Sequence, residues 1–518
     1  MSNKIHILWA DDEIDLLKPH IIFLKNKGYE IITAKSGNEA LEELEKQTVD
    51  IVFLDENMPG ISGLETISLI KSKFPPIPIV MITKSEEEHI MDEAIGSNIK
   101  DYLIKPVNPH QILHCLKKHT DHKRFVSEKT SSDYQQAFRN ITMKLMENRS
   151  HEDWVDTYKE LVYWEFELEK NTDSQIVDIF YSQKEEANLA FSRFLTKNYL
   201  DWLSTSSEDK PLMSHTILKE RLFKELDQNE ITFLIVIDNL RYDHWKTIEK
   251  QLGDYYRAEK DEIYYSILPT ATQYARNALF AGLLPSEIEK KYPSYWLNET
   301  DEGNKNEFEN NLFNEYLRRY GKRIKYSYSK VLNIDFARKL NDRLPTLLNN
   351  NLNIIIYNFV DMLSHAHTDV DIVRELAQDE TSYRSITASW FEHSPLFEMI
   401  KYLAEKKIRI CLTTDHGSIR IQNPVRIIGD RETNTNLRYK VGKNLNVNEK
   451  DVFVIHNPHD AYLPKLNITS KYMFTYCDNF FAYPNNYNQY VNYYKNTFQH
   501  GGISMEEILI PFITLNPK

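Results

Sequence analysis

The sequence predicts an α/β protein in three parts: a doubly wound N-terminal sheet, an α-helical connector and a larger C-terminal α/β domain. Three observations carry that reading. Short apolar runs alternate with amphipathic stretches over the first 120 residues, and strand-like runs nearly vanish from about 121 to 215 before returning. At ~150 residues per domain, a chain of 518 residues also has room for about three.

In the first part, 1–120, the segments Ile5–Trp9, Glu30–Thr33, Ile51–Leu54, Ile77–Ile82 and Asp101–Ile104 read as strands. Helices are expected near 14–27, 37–47, 63–73, 86–95 and 109–119. Strands alternating with helices in this way imply a parallel sheet covered on both faces. The connector, 121–208, holds no Gly and shows helical periodicity around Trp154, Tyr158, Leu161 and Phe166. Polar, Pro-terminated SSEDKP (206–211) marks its end. In the third part, 209–518, the runs Thr232–Ile237, Asn353–Phe359 and Ile408–Thr413 are apolar enough for buried parallel strands.

Composition narrows the function classes. Hydrophobic residues make up 41% and charged residues 27%, as in folded globular chains. The balance of 63 Lys and Arg against 76 Asp and Glu, a net −13, argues against a general nucleic-acid coat. With no convincing helix-turn-helix, sequence-specific binding of duplex DNA is not expected. No run of about 18 apolar residues suggests a membrane span. The opening MSNKIHILWADDE turns acidic before a signal-peptide core could form, so a cytoplasmic location is expected. Cys115, Cys411 and Cys477 lie too far apart for a metal knot or a disulfide framework.

Two groups of residues carry chemistry. In the first, Asp11 and Asp12 follow the first strand, Asp55 ends the third, Thr83 the fourth and Lys105 the fifth. Open parallel sheets bind ligands at these carboxyl ends. Three carboxylates meeting there call for a hard cation, and Mg²⁺ takes such oxygen ligands. Asp55 could then attack phosphorus, with Thr83 bonding the new phosphoryl oxygens and Lys105 pairing with them. The motifs ADDE, LDENMPGISG, Thr83 and Lys105-Pro106 make residues 1–120 resemble the receiver domain of two-component response regulators. That resemblance implies Asp55 as phosphoacceptor, Mg²⁺ held by Asp11, Asp12, Asp55 and the backbone of Asn57, and Tyr102 as the switch aromatic beside Thr83 and Lys105. It also implies a sensor histidine kinase as partner.

The second group lies in the C-terminal part. The strand run ITFLIVIDN ends at Asp238, NIIIYNFVD ends at Asp361 with His365 four residues on, IRICLTTDHG ends at Asp415-His416, and His500 stands in FQHGGISMEE. Three Asp and three His form a mixed oxygen and nitrogen set suited to Zn²⁺, with Mn²⁺ the second candidate. Asp238, Asp415 and His416 could hold one ion; Asp361, His365 and His500 could hold another. Two divalent ions less three carboxylates leave about +1, which suits a singly charged phosphodiester. The stretch SILPTATQYARNALFAGLLPS offers two hydroxyl nucleophiles, Thr270 and Thr272, and residue chemistry alone does not choose between them.

The pieces VIDNLRYD, LPTATQYARNALFAG, NFVDMLSH, TTDHG and HGGISMEEILIPF resemble the PglZ branch of the alkaline phosphatase superfamily across roughly 210–518. Phosphodiesterases of that superfamily place the nucleophile second in a P-T-x-T turn, ten residues before a Gly. Here that position is Thr272, ten before Gly282, which the resemblance makes both nucleophile and metal ligand. It implies a zinc-dependent phosphodiesterase passing through a phosphothreonine. Arg276 and Asn277, one turn on, are candidate substrate contacts, with helix packing as their alternative. The stretch 317–330, LRRYGKRIKYSYSK, mixes basic and aromatic residues in a pattern suited to phosphates and stacked bases, with a solvated basic loop or helix face as its alternative. His456 and His459 have no Asp partner in a matching motif and read as structural, as does His244 near the first ligand strand; His367, two residues from His365, is expected behind the ligands or at the surface.

The combination of receiver, connector and PglZ-type module resembles PorX-type regulators, which act with a sensor kinase in type IX secretion control in Bacteroidota. The expected protein is a response regulator that dimerises on phosphorylation of Asp55 and whose output is cleavage of a cyclic or linear nucleotide phosphodiester. The alternative is a signalling scaffold that binds a transcription component, such as a sigma factor, or a secretion-system component when phosphorylated.

Overall fold

A computed structural model describes residues 5–75, 77–84, 99–116, 122–147, 150–169, 174–204, 209–224, 226, 230–429 and 433–518. The chain packs as two units: Met1–Gln136 with Lys170–Ser174, and Ala137–Glu169 with Gln175–Lys518.

The first unit contains strands β1 (His6–Ala10), β2 (Glu30–Ala34), β3 (Ile51–Asp55), β4 (Ile79–Thr83) and β5 (Asp101–Ile104). They form one parallel sheet in the order β2-β1-β3-β4-β5. Strands β1, β3 and β4 are buried on both faces, which is why their sequences are continuous apolar runs. Ile7, Trp9, Ile51, Phe53 and Val80 fill one side, and Leu8, Val52, Leu54 and Met81 the other. The helix expected over 14–27 is a 3₁₀ turn, Ile14–Leu17, followed by helix Lys18–Asn26. Pro19 accounts for the break, because proline is accommodated in the first turn of a helix but not in its interior. Helix Gly63–Lys73 starts at a capping box between Ser62 and Glu65. The helix expected near 86–95 lies outside the described residues, as does the end of the one expected over 109–119.

The second unit is built on a six-stranded sheet. Its strands in chain order are β6 (Thr232–Ile237), β7 (Tyr256–Tyr265), β8 (Tyr326–Val331), β9 (Leu352–Tyr357) and β10 (Arg409–Thr413). Then come short strands β11 (Ile419–Arg420), β12 (Asn423–Arg426), β13 (Tyr439–Gly442), β14 (Val452–Ile455), β15 (Lys471–Thr475), β16 (Asn479–Ala482) and β17 (Phe498–Gln499), and finally β18 (Leu509–Pro517). The main sheet runs β7-β18-β10-β6-β9-β8. Strands β10, β6, β9 and β8 are parallel to one another, so β6, β9 and β10 end on one edge; β18 is antiparallel. The run expected as strand Asn353–Phe359 stops at Tyr357, and helix Phe359–Asp369 takes over. Strand β18 and the small sheets were not anticipated.

Of the connector's helices, His122–Met146 is divided between the units, whereas His151–Leu168 and all but the first residue of Ser174–Leu203 belong to this second unit. Trp154, Tyr158, Leu161, Phe191 and Trp202 are buried. A buried charge network reinforces the packing. Lys184 Nζ lies 2.8 Å from Glu165 and 3.2 Å from Glu506, and Arg384 lies 2.8 Å from Glu165 and 2.9 Å from Asp243. Removing one member of such a set strands a buried charge, at a cost of about 3–5 kcal/mol. Part of the boundary segment 206–211 lies outside the described residues.

Candidate metal centre and phosphoacceptor pocket

Strands β6, β9 and β10 bring three loops to one edge of the second unit's sheet, where Asp238 directly follows β6. Asp415 and His416 stand just past the end of β10. Asp361 is not on the strand but in the first turn of helix Phe359–Asp369, which puts Asp361 and His365 four residues apart on one helix face. His500 follows β17. Donor atoms of Asp238, Asp415 and His416 lie within 4.8 Å of one another, and so do those of Asp361, His365 and His500. Asp238, Asp415 and His416 are fully buried, whereas His365 faces solvent.

Two ring orientations are fixed by backbone. His416 Nδ1 is 3.1 Å from the Gly417 carbonyl oxygen and His500 Nδ1 is 3.1 Å from the Thr270 carbonyl oxygen. Each Nδ1–H therefore donates outward, and each Nε2 lone pair is left for the centre. The two rings stack, centroids 4.2 Å apart. His416 Nε2 stands 3.6 Å from Asp238 Oδ1, and His500 Nε2 stands 3.5 Å from Asp361 Oδ1.

The two threonines have different surroundings. Thr270 is fully buried; its hydroxyl donates to the Gly502 carbonyl at 2.9 Å and accepts from Gly501 N–H at 3.0 Å. Thr272 Oγ1 is 3.0 Å from His416 Nε2, to which it donates. Thr272 opens helix Thr272–Ala281, whose N-terminus carries no side-chain cap. Asn306 holds the Thr272 carbonyl at 2.8 Å, a contact that no sequence signal announced. At the other end of this helix Gly282 is left-handed (φ 57°) and packs face-on against the Tyr316 ring, leaving no room for a Cβ.

Electrostatics mark the centre as short of positive charge. Burial, with the Asp238 and Asp415 charges, pushes the Asp361 carboxyl up to about 8. Burial and the charge of Asp238 raise Asp415 well above the usual carboxylate range. Asp238 is the exception: burial opposes ionisation there, but the Arg276 guanidinium holds its carboxyl below the ordinary value. Burial keeps His416 and His500 neutral, with the neighbouring imidazole adding to the effect at His500. Asp238 Oδ1, Asp361 Oδ1 and Asp415 Oδ2 are buried oxygens with no hydrogen-bond partner. Orphaned carboxylate oxygens facing neutral imidazole lone pairs are the donor set that divalent cations require, and the residues fit two metal ions.

The candidate substrate contacts face inward. Arg276 is 1% exposed and binds Asp238 at 2.7 Å and Glu309 at 3.2 Å. Asn277 donates to the carbonyls of Gln273 and Lys305. These two residues take the packing alternative. Within 317–330, Tyr328 and Lys330 both bind Glu309, at 2.7 and 3.0 Å, and Arg319 reaches the Ala281 carbonyl, so much of that stretch is committed to the protein. His367 bonds the Ala377 carbonyl at 2.8 Å.

In the first unit, Asp11, Asp12 and Asp55 present oxygens within 4.8 Å of one another. Lys105 Nζ stands 2.9 Å from both Asp11 and Asp55. Burial raises the Asp55 carboxyl despite Lys105. Lys105 is itself raised: burial works against its charge, but the two carboxylates win. Thr83 Oγ1 donates to Glu56, the residue after Asp55, and Tyr102 and Asn57 are exposed.

Comparison with known proteins matches residues 7–117 to the response regulator receiver domain, 124–203 to the PorX response regulator linker domain and 217–515 to the BREX system PglZ alkaline phosphatase-like domain. This is the PorX-type architecture. Transcriptional regulatory protein ZraR of Escherichia coli K12 is 31% identical over 128 residues, 25% of this chain and 29% of that protein. PhoP, the alkaline phosphatase synthesis transcriptional regulatory protein of Bacillus subtilis, is 32% identical over 22% of this chain and 46% of its own length. The chain thus spans less than half the length of these curated relatives. Among solved structures, response regulator TrrA of Thermotoga maritima is 33% identical, with 22% of this chain and 97% of that chain covered and a TM-score of 0.21. Chemotaxis protein CheY4 of Vibrio cholerae is 29% identical, covering 23% and 99%, with a TM-score of 0.22. Among the described residues, no helix is long and apolar enough to cross a membrane.

Proposed function

Because the chain belongs to the family of BREX-system PglZ alkaline-phosphatase-like domains and also carries a receiver domain, we propose that it is a cytoplasmic response regulator whose output is a phosphodiesterase. The observation that carries the reading is the Thr272 hydroxyl 3.0 Å from His416 Nε2, beside three carboxylate oxygens without partners. Asp238, Asp415 and His416 would hold one Zn²⁺, and Asp361, His365 and His500 the other, with Mn²⁺ as the second candidate. When bound, such ions acidify a hydroxyl and offset charge on the entering and leaving oxygens.

The residues of the chain divide the remaining work. Thr272 Oγ1 gives up its proton, which passes through solvent to the departing ester oxygen, and attacks phosphorus in line; one P–O ester bond breaks, and the threonine is left in a phosphodiester that keeps the other ester group. Water then attacks the same phosphorus and restores the threonine. The uncapped N-terminus of helix Thr272–Ala281 favours the negatively charged phosphoryl group. Arg276 keeps Asp238 ionised and aimed, and Asn306 fixes the backbone under Thr272. The charge balance favours a singly charged phosphodiester, and a nucleotide diester, cyclic or linear, is the member of that class we propose. Asp55, with Mg²⁺ at Asp11, Asp12 and the Asn57 backbone, would take a phosphoryl group from a sensor histidine kinase. Thr83, Tyr102 and Lys105 would register it, and phosphorylation would promote a homodimer acting in type IX secretion control.

The test is hydrolysis of bis-p-nitrophenyl phosphate by Zn²⁺-loaded protein beside Thr272→Ala, with metal content measured on both. Activity in the parent that disappears in the variant at equal metal content supports the proposal. An inactive, metal-loaded parent that also leaves dinucleotides intact would sink it and favour the scaffold.

A further inference from the structure

The connector is more than a spacer between two functional units. Along helix Ser174–Leu203 a buried polar stripe, Lys184, Asn188, Ser192 and Tyr199, lies on one face at helical spacing. Polar side chains on the buried face of a helix cost stability unless each finds a partner. Here Tyr199 and Asn188 find theirs in the two segments that flank the metal centre, while Lys184 pairs with Glu165 and Glu506.

Tyr199 is 1% exposed and its hydroxyl accepts a 2.7 Å hydrogen bond from the backbone N–H of Leu268, four residues before Thr272. That segment continues into Thr270, whose hydroxyl joins Gly501 and Gly502 and whose carbonyl oxygen orients His500. Eleven residues earlier on the helix, Asn188 accepts from Met505 N–H at 2.8 Å and donates to Glu506 at 3.0 Å. Ser192 gives its one hydroxyl proton to the Asn188 carbonyl of its own helix at 2.8 Å, with the Ile503 carbonyl 3.4 Å away. The same 503–507 segment lies against Gly417, the residue after His416: Gly417 N–H bonds the Glu507 carbonyl at 3.2 Å, and a Cβ at Gly417 would collide with the Glu506 carbonyl. One helix thus holds both the turn carrying the nucleophile and the segment that backs a metal-ligating loop.

We propose that Tyr199 and Asn188 of the connector are positioning residues for the metal centre, setting where Thr272, His500 and His416 stand. This rests on the phosphodiesterase reading for its kinetic arm. A misplacement of about 1 Å at a reacting group, set by a residue away from the chemistry, is enough to slow the reaction by about a hundredfold.

The experiment uses full-length protein loaded with Zn²⁺ for kinetics and with Co²⁺ for visible absorption, comparing the parent with Tyr199→Phe, which removes only the accepting hydroxyl. The expected result is a fall in kcat of about tenfold, with KM within about twofold, both ions retained and an altered Co²⁺ spectrum. An unchanged kcat and spectrum, whatever happens to the melting temperature, would reduce the stripe to packing and overturn the proposal. Asn188→Asp keeps the acceptor for Met505 N–H but sets a carboxylate against Glu506; it carries the same test if Tyr199→Phe does not fold. A parent that takes up Co²⁺ but hydrolyses nothing removes the phosphodiesterase reading, and the spectrum alone then decides whether the connector positions the centre.

Discussion

Arg276 grips one oxygen of Asp238 at 2.7 Å and leaves the other, Oδ1, without a partner and 3.6 Å from His416 Nε2. The guanidinium does two things at once. It keeps a fully buried carboxylate ionised, and it fixes which lone pairs face the centre.

Arg276→Lys keeps the charge but loses the fork that spans Asp238 and Glu309. The expected outcome is weaker metal binding by about 10–100-fold, read by titration of the metal-free protein against a competing chelator. Affinity equal to the parent's would mean that Asp238 is oriented by other contacts.

The two threonines of the P-T-x-T turn should separate cleanly. Thr270→Val leaves the buried Gly501 N–H and Gly502 carbonyl without their partner. Stability should fall by about 1–3 kcal/mol in urea titration. Thr272→Val, whose hydroxyl contacts only His416 among described groups, should melt near the parent and lose hydrolysis.

His244 is fully buried, with neither ring nitrogen hydrogen-bonded, and its ring packs against Tyr383 with centroids 5.0 Å apart. Burial drives its pKa down to about 3, with Asp243 opposing. The folded protein therefore keeps it neutral while the unfolded chain takes up a proton below about 6.5. Its stabilising share is complete above that value and shrinks as the pH falls toward about 3. Between pH 7 and pH 5 the loss should be roughly 2 kcal/mol. His244→Phe should flatten that part of the stability profile in denaturant melts at each pH; an unchanged slope would show that the ring is solvated in solution.

In the first unit, the Thr83 hydroxyl donates to Glu56, the residue after the phosphoacceptor Asp55 proposed above. Glu56→Ala releases that bond and removes a negative charge beside the phosphoacceptor. Affinity for Mg²⁺ with beryllofluoride should rise by roughly 3–10-fold, followed through intrinsic fluorescence. A weaker or unchanged affinity would mean that Glu56 does not restrain the Thr83 hydroxyl.

What the sequence makes legible follows from how strands and helices encode themselves. Strands β3, β6 and β9 are uninterrupted apolar runs, so their positions and the acidic residues beyond them can be read directly. Ligands from four distant segments group into the two sets expected from their chain order. The site of Asp361 was misread by one element, because NIIIYNFVD stays apolar across the change from β9 to helix and periodicity cannot see that change. Arg276 was visible, but its partners Asp238 and Glu309 are 38 and 33 residues away, and no local pattern records such a pairing. The same holds for Asn306 and for the polar stripe of the connector, where Lys184 and Asn188 meet partners more than 300 residues on. Charged residues at 3–4 spacing on a helix read as a solvated face until the third dimension buries them.

The buried ions of the connector also bear on ancestry. Regulators diversify by recombination, one sensory module being traded for another at a permissive seam. Lys184 and Glu165 are paired with Glu506 and Arg384, so a seam near residue 209 would take the Lys184 ammonium from Glu506 and leave Arg384 with Asp243 but without Glu165 in the inherited fragment. The heritable unit is therefore the helices together with the sheet they cover. A transplant that carried the C-terminal part alone is expected to expose the face that the helices cover and to be less stable than one that carries the connector with it.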